Sequence, residues 1–82
     1  MAKFYYTYVL QSKKDKNLYI GWSDNLVARI EKHNKGKVKA TKNRLPLFLV
    51  YYEACLSKSN AIKREKTLKT GSGRKYLKNR IS

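Results

Sequence analysis

Acidic residues are scarce in this chain of 82 residues. Five Asp and Glu stand against 20 Lys and Arg, which gives a formal net charge of +15. So positive a field attracts polyanions and speeds association with them, while it says nothing about the fold. Nucleic acid is therefore the first candidate partner. A membrane surface is a weaker candidate, since the basic residues are spread along the chain and do not form one amphipathic helix.

Cysteine and long apolar runs are also missing. A single cysteine, Cys55, cannot form an internal disulfide, which fits a reducing cytoplasm. Because Cys55 lies in an apolar stretch, a buried structural thiol is a simpler interpretation than a catalytic one. No apolar run approaches the roughly 20 residues that span a bilayer, and the first residues show no signal-peptide pattern. We expect a cytoplasmic protein that does not enter membranes.

The residues that are present suffice for one folded domain. Hydrophobic residues make up 41% of the chain and seven of them are tyrosines, which argues against wholesale disorder. The length leaves room for a single modest core and there are no internal repeats. We predict one domain over residues 1–82.

Three segments predict β-strands. Residues 4–11 are aromatic and β-branched, and after a polar turn Leu18–Trp22 follows, so the two segments predict a β-hairpin. Residues 47–55 form the most apolar run and are predicted to be the central, best-buried strand.

Helix signals follow the second and the third predicted strands. Residues 23–25 (Ser-Asp-Asn) offer N-cap side chains for a helix over residues 24–35 that is closed by Gly36. The predicted apolar stripe of this helix is Leu26, Val27 and Ile30.

A second helix is predicted from the Ser57–Asn60 cap to Thr70. Gly71–Gly73 is predicted to break it, before a short basic helix that starts at Arg74. The resulting order, β-β-α-β-α-α, predicts an α+β fold in which helices flank a small three-stranded antiparallel sheet.

The second predicted helix carries an unusual carboxylate. At helical spacing Ala61, Ile62 and Leu68 mark its inward face, and Glu65 falls in the middle of that arc. A carboxylate on an inward face is costly to desolvate unless a cation, a hydrogen-bond donor or a metal ion satisfies it. An ion pair with Arg29, a bond from a tyrosine hydroxyl and a divalent metal such as Mg²⁺ are all open alternatives.

Arg29 and His33 stand four positions apart and therefore share one face of the first helix. Taken alone, they are most simply a solvated arginine beside a helix-end histidine. The helix begins shortly after Tyr19-Ile20-Gly21, however, so its base adjoins the predicted hairpin. Gly21 inside a strand indicates a bulge or a close approach by a ligand.

Several tyrosines of the hairpin can share a face with one another. Tyr6 and Tyr8 differ by two positions, and Tyr19 can lie beside them on the neighbouring strand. Strand aromatics usually belong to the core, as we expect for Tyr5 and Tyr51. A phenol can still act as a general base when a nearby cation or metal lowers its pKa.

Taken in order, these residues resemble the GIY-YIG nucleases, and specifically the small bacterial proteins that consist of little else than that domain. The matching pieces are Tyr6-Thr7-Tyr8 for the first motif, Tyr19-Ile20-Gly21 for the second, and Arg29, His33 and Glu65. Because the first motif reads Tyr-Thr-Tyr in place of Gly-Ile-Tyr, Tyr6 and Tyr8 are alternatives for its tyrosine. The spacing to Tyr19 favours Tyr8.

The resemblance implies an endonuclease that hydrolyses phosphodiester bonds with Mg²⁺ or Mn²⁺. Glu65 would hold the metal ion, and Tyr19, assisted by Tyr8 or His33, would take a proton from the attacking water. Arg29 would stabilise charge on the phosphate. The alternative from another class is a non-catalytic nucleic-acid-binding module that stacks bases on its tyrosines.

Basic residues outside the motifs are the predicted contacts to the nucleic-acid backbone, which position a substrate without reading its sequence. They are Lys37, Lys39, Lys42, Arg44, Lys63 and Arg74. A solubilising surface is the alternative. We expect limited sequence preference and a DNA substrate in preference to RNA, and the sequence leaves open a homodimer or a recruiting protein partner.

Overall fold

The predicted order of elements is confirmed by a computed structural model, which describes residues 2–81. The elements are β1 (Tyr5–Ser12), β2 (Leu18–Ser23), α1 (Leu26–Asn34), β3 (Leu47–Cys55), α2 (Lys58–Leu68) and α3 (Gly71–Ile81). Together they form an α+β fold with one three-stranded antiparallel sheet. Within the described residues, no helix combines the length and the apolar character needed to cross a membrane.

The central strand is β1, which pairs with both neighbours in the order β2-β1-β3. The prediction that residues 47–55 form the central strand was therefore wrong. All residues from Thr7 to Leu10 are buried, whereas Phe48 and Tyr52 of the edge strand β3 are 40% and 52% exposed. The more apolar composition of residues 47–55 predicted the wrong central strand, because β1 buries polar side chains whose hydrogen bonds are satisfied inside the fold.

Alternating side chains of β1 build a separate core on each face of the sheet. One core joins β1 and β2 to the second and third helices, through Val9, Ile20, Leu68 and Leu77. The other lies under α1 and contains Tyr8, Leu10 and Leu47, with Leu26 and Ile30 packed against them. The sheet therefore separates α1 from α2 and α3, and a site shared by both sides must form at an edge of the sheet.

Helix α1 begins and ends close to the predicted positions. The Asn25 side chain accepts a hydrogen bond from the Ala28 amide at 3.1 Å, and Gly36 adopts φ +73°, the left-handed conformation of a helix C-terminus. Val27 was wrongly placed in the apolar stripe, because its side chain is 67% exposed. It lies beyond the arc of α1 that faces the sheet.

The third helix begins at Gly71, so the predicted break over residues 71–73 was wrong. A Cβ at Gly73 would overlap the Thr67 carbonyl oxygen and lie 2.5 Å from Leu68 Cα. Gly73 therefore allows α3 to approach the end of α2 closely. A Cβ at Gly71 would meet open space. The two glycines therefore have different roles.

We predict that Gly73→Ala destabilises the protein by about 1–3 kcal/mol, because backbone atoms must move to admit the methyl group. For a domain of this size each kcal/mol lowers Tm by roughly 4–8 °C. Thermal unfolding of Gly73→Ala beside Gly71→Ala measures the difference. The matched control should melt no lower than the wild type, because its added methyl meets open space. Equal melting temperatures for both variants would contradict the close contact.

Candidate active site

Tyr8 reaches across the sheet because its partner on β2 has no side chain. The register places Tyr8 opposite Gly21, and a Cβ at Gly21 would lie 2.6 Å from the Tyr8 phenol oxygen. The close approach that the sequence indicated at Gly21 is thus made by Tyr8, not by a ligand. The phenol oxygen is carried over β2 toward its outer edge.

Two side chains of α1 meet the Tyr8 oxygen. His33 Nε2 lies 2.8 Å from it, and Arg29 donates from Nε at 3.3 Å. The spacing of four residues puts both groups on the helix face that covers the sheet. The other imidazole nitrogen, Nδ1 of His33, lies 2.7 Å from Thr41 Oγ1. Tyr8, His33 and Thr41 are each fully buried.

Burial and charge keep this cluster neutral except for Arg29. Burial raises the pKa of Tyr8, and the hydrogen bond from Arg29 offsets only part of that effect. Burial lowers the pKa of His33 to about 4, with further repulsion from Arg29 and Lys32. At neutral pH the phenol is therefore protonated and the imidazole uncharged. The hydrogen bond to Tyr8 raises the pKa of Arg29, which keeps its positive charge.

Tyr19 completes the group. It pairs with Leu10 on β1, which places it on the same face as Tyr6 and Tyr8, as predicted. Its ring meets the His33 ring edge-on with centroids 5.1 Å apart. The Tyr19 phenol also raises the pKa of Arg29. The single guanidinium of Arg29 therefore interacts with both phenols, Tyr8 and Tyr19.

Tyr6 lies outside the cluster. Its ring packs against Tyr52 with centroids 6.0 Å apart, and in the register it stands opposite Ser23, at the end of β2. Of the two alternatives for the first-motif tyrosine, Tyr8 is thus the one that the fold brings to Arg29 and His33.

Glu65 enters from the helix on the opposite face of the sheet. Its carboxylate accepts a hydrogen bond from Lys69 Nζ at 2.8 Å, and its side chain is 18% exposed. Of the alternatives that the sequence left open, neither the ion pair with Arg29 nor the bond from a tyrosine hydroxyl is formed among the described residues. The negative charge of Glu65 nevertheless acts to raise the pKa of Tyr8, so the carboxylate lies within electrostatic reach of the phenol cluster.

The donor set suits a hard divalent cation held by few protein ligands. Within residues 2–81, no group of three or more His, Cys, Asp or Glu side chains could hold a metal ion. A metal here would depend on Glu65, and Mg²⁺ is commonly bound by one or two carboxylates together with waters and substrate phosphates. Only the Lys69 end of the pair is well exposed, and helix pairs at this spacing contribute about 0.3–0.5 kcal/mol where solvent reaches them, so a cation could replace Lys69. Glu65 therefore fits the implied Mg²⁺ or Mn²⁺.

Two other carboxylates, the partly buried Glu53 and the exposed Asp15, already have strong partners. Arg64 binds both oxygens of Glu53 at 2.9 Å, and Tyr51 donates to the same carboxylate at 2.6 Å. Although burial acts to raise the pKa of Glu53, these hydrogen bonds outweigh it and hold the pKa below its usual range. Arg44 bonds Asp15 in the hairpin turn at 2.6 Å and lowers the pKa of Asp15 to about 2.

An open cleft of about 740 Å³ borders Tyr19 on the outer side of β2. The turn between β1 and β2 forms one wall, and the other contains Lys69 and Arg74. Sequence reasoning missed Lys69, although its spacing of four from Glu65 was an available signal. It also missed Thr41, for which the sequence carries no signal.

The predicted backbone-binding residues have different environments. Lys37, Lys39 and Lys42 are exposed in the loop between α1 and β3, and Lys63 is exposed on α2. Arg74 is exposed in the cleft wall. Arg44 also lines the cleft, but its guanidinium is held by Asp15. Arg74 is thus the predicted residue that presents an available charge inside the cleft.

Comparison with known proteins identifies the family of the chain. Residues 4–79 match the family described as the GIY-YIG catalytic domain. A UPF0213 protein of Staphylococcus haemolyticus is 48% identical over 79 residues, which cover 95% of this chain and 94% of that protein. A UPF0213 protein of Staphylococcus aureus strain Mu3 is 41% identical over 75 residues and 90% of each chain.

A solved structure supports the same fold. The solution NMR structure of a UPF0213 protein from Bacillus halodurans matches with a TM-score of 0.57 and 33% identity, covering 93% of this chain and 83% of that one. Its agreement with the β-β-α-β-α-α order extends the similarity from sequence to architecture. The chain belongs to the GIY-YIG family of nuclease domains.

Proposed function

We propose that this protein is a divalent-metal-dependent endonuclease that hydrolyses phosphodiester bonds of DNA, with little sequence preference of its own. The observation that carries the proposal is the position of Arg29. Its guanidinium donates to the Tyr8 oxygen at 3.3 Å and interacts with the Tyr19 phenol. One fixed positive charge therefore lies beside two groups that can exchange protons, next to an open cleft.

Arg29 supports hydrolysis through its charge. The trigonal-bipyramidal transition state at phosphorus accumulates negative charge on the phosphate oxygens, and a guanidinium fork matches these oxygens well. Since the hydrogen bond to Tyr8 holds the partly buried Arg29 in place before substrate arrives, little reorganisation is needed during the reaction.

Tyr19 is the phenol we assign to the attacking water. It is half-buried and lines the cleft, whereas Tyr8 is fully buried beneath it. Tyr19 can therefore contact a water molecule and, once its own hydroxyl proton has passed to solvent through the cleft, accept a proton from that water. Tyr8 orients Arg29 and provides a neighbouring hydroxyl.

Glu65 is the residue we assign to Mg²⁺ or Mn²⁺. A bound divalent ion supplies Lewis-acid polarisation of the phosphate and neutralises charge on the leaving oxygen. Lys69, the partner of Glu65, lies in the wall of the cleft. With a cation on Glu65, its ammonium group would be available to contact a substrate phosphate.

We predict metal-dependent nicking of supercoiled plasmid that is abolished by Glu65→Gln and lowered on the order of 10²–10³-fold by Arg29→Ala. The first change removes the charge of the carboxylate and the second removes the fixed cation. Gel quantification with Mg²⁺, Mn²⁺ or EDTA measures the rates. Glu31→Gln is the matched control, because Glu31 is an exposed carboxylate on α1.

Wild-type rates for Glu65→Gln and Arg29→Ala would contradict the proposal. Tight, salt-sensitive plasmid binding by the wild type without any cutting would instead favour the non-catalytic binding module.

The cleft gives a separate prediction about binding. Arg74→Gln should weaken DNA binding by the catalytically inactive Glu65→Gln protein and lower the slope of log affinity against log salt by about one unit, because one phosphate contact is lost. Fluorescence anisotropy over a salt series measures both quantities. Lys75→Gln, which removes the same charge from the next residue of α3, should have a smaller effect. Equal losses for the two variants would show that the cleft does not hold the strand.

A further inference from the structure

Trp22 follows Gly21 on the edge strand β2 and faces the side of the sheet that α2 covers. In the register it pairs with Thr7, and the Thr7 hydroxyl donates to the Ala61 carbonyl of α2 at 2.9 Å. Because paired residues of neighbouring strands project to the same face, the indole also lies on the α2 side of β2. Its ring is therefore at the same sheet edge as the phenol cluster, on the face from which Glu65 enters.

The indole of Trp22 is not part of the core. It belongs to the one tryptophan of the chain and is only half-buried, and within residues 2–81 it packs against neither of the two core clusters. The ammonium group of the exposed Lys58 lies 5.4 Å from the centre of the ring, as a cation–π contact. An indole contributes most to stability when it is buried. A half-buried ring beside a cation, at the edge of the candidate active site, therefore offers a surface to a ligand.

The spacing along α2 relates this ring to the carboxylate of Glu65. Lys58 and Glu65 both belong to α2 and stand two helical turns apart, so they share one face and are separated by about 10 Å along the helix axis. Successive nucleotides of a stacked strand are about 3.4 Å apart along the helix. A strand with one phosphate at Glu65 therefore brings a base roughly three nucleotides away to Trp22.

We propose that Trp22 is a stacking surface for one base of a nucleic-acid strand that runs along the edge of β2, and that Lys58 contacts a phosphate beside that base. The position of this base relative to the cut rests on the proposed function. Every base has a π-face, so stacking adds affinity without reading sequence. The net charge of +15 and the ammonium group beside the ring favour a polyanion over an apolar partner.

Stacking on Trp22 selects the state of the substrate. A base inside a duplex has both faces covered by its neighbours, so it reaches a side chain only after it is unpaired and unstacked, at a cost in free energy. An unpaired base avoids that cost. Unpaired nucleotides, in single strands, gaps or loops, are therefore the substrate class that this surface fits.

The test is the fluorescence of Trp22, which no other tryptophan obscures. Wild-type protein in EDTA, which prevents metal-dependent cutting, is titrated with a single-stranded thymine oligonucleotide and with relaxed closed-circular plasmid, which has no ends. Anisotropy of the labelled oligonucleotide, with the plasmid as competitor, measures the binding of both. We expect saturable quenching of the tryptophan emission by the oligonucleotide and much weaker quenching by the plasmid at equal occupancy.

Variants test the same surface through affinity. Trp22→Ala should weaken binding of the oligonucleotide about 5–150-fold, which corresponds to the loss of one stacked base. Trp22→Phe keeps an aromatic face and should retain most of the affinity. Tyr52→Ala is the matched control, because it removes an exposed aromatic side chain from the other edge strand, β3. It should bind like the wild type.

Three results would each overturn the stacking role: no quenching by the oligonucleotide, equal quenching by oligonucleotide and plasmid, or wild-type affinity in Trp22→Ala. The wild-type titration decides the question even if Trp22→Ala does not fold. Quenching in a protein that never cuts would contradict the proposed function alone. Metal-dependent cutting by a protein that shows no quenching would contradict the stacking role alone.

Discussion

The contact between Tyr8 and Gly21 is the constraint on which the rest of the site depends. Tyr8 belongs to the central strand, where both faces of the sheet are covered, and its phenol would have no room if β2 carried a side chain at position 21. With glycine there, the phenol oxygen lies over β2, where α1 can supply Arg29 and His33. Glu65 approaches the same edge from the helix on the other face. Two helices separated by the sheet thereby contribute to one site.

Electrostatics divides this site into a neutral interior and a charged margin. The interior contains Tyr8 and His33. Burial raises the pKa of Tyr8 and lowers the pKa of His33, and both shifts favour the uncharged form. Charges appear where solvent is accessible, at the cleft that Lys69 and Arg74 border. This division suits the proposed phosphodiester chemistry, because a polyanion can approach from the charged side while the buried groups stay uncharged. In that proposal the large net charge of the chain acts on the encounter with nucleic acid, and the local geometry acts on the reaction.

Much of the fold and part of the site could be predicted from the sequence, and the exceptions have physical reasons. The order of strands and helices follows from the spacing of apolar residues along the sequence and from helix N-caps such as Asn25 and Ser57. Residue spacing also placed Arg29 and His33 on one helix face. Strand order was missed because the apolar content of β3 exceeded that of β1, which buries hydroxyls instead. Gly73 was misinterpreted because a glycine that ends a helix and one that lets two helices touch look alike in sequence. Thr41 depends on a contact that only the folded chain reveals, whereas the spacing of four between Glu65 and Lys69 was visible in the sequence and was overlooked.

Gly21→Ala is the most direct test of the central claim that the position of the Tyr8 hydroxyl organises this site. The added methyl would lie 2.6 Å from the phenol oxygen, and the end of the Tyr8 side chain can move while the backbone stays folded. We predict a folded protein whose plasmid-cutting rate falls on the order of 10²-fold, since a displacement of about 1 Å in a reacting site has that cost. The folding control is Gly71→Ala, whose added methyl meets open space and which should cut normally. Wild-type cutting by a folded Gly21→Ala protein would contradict the account.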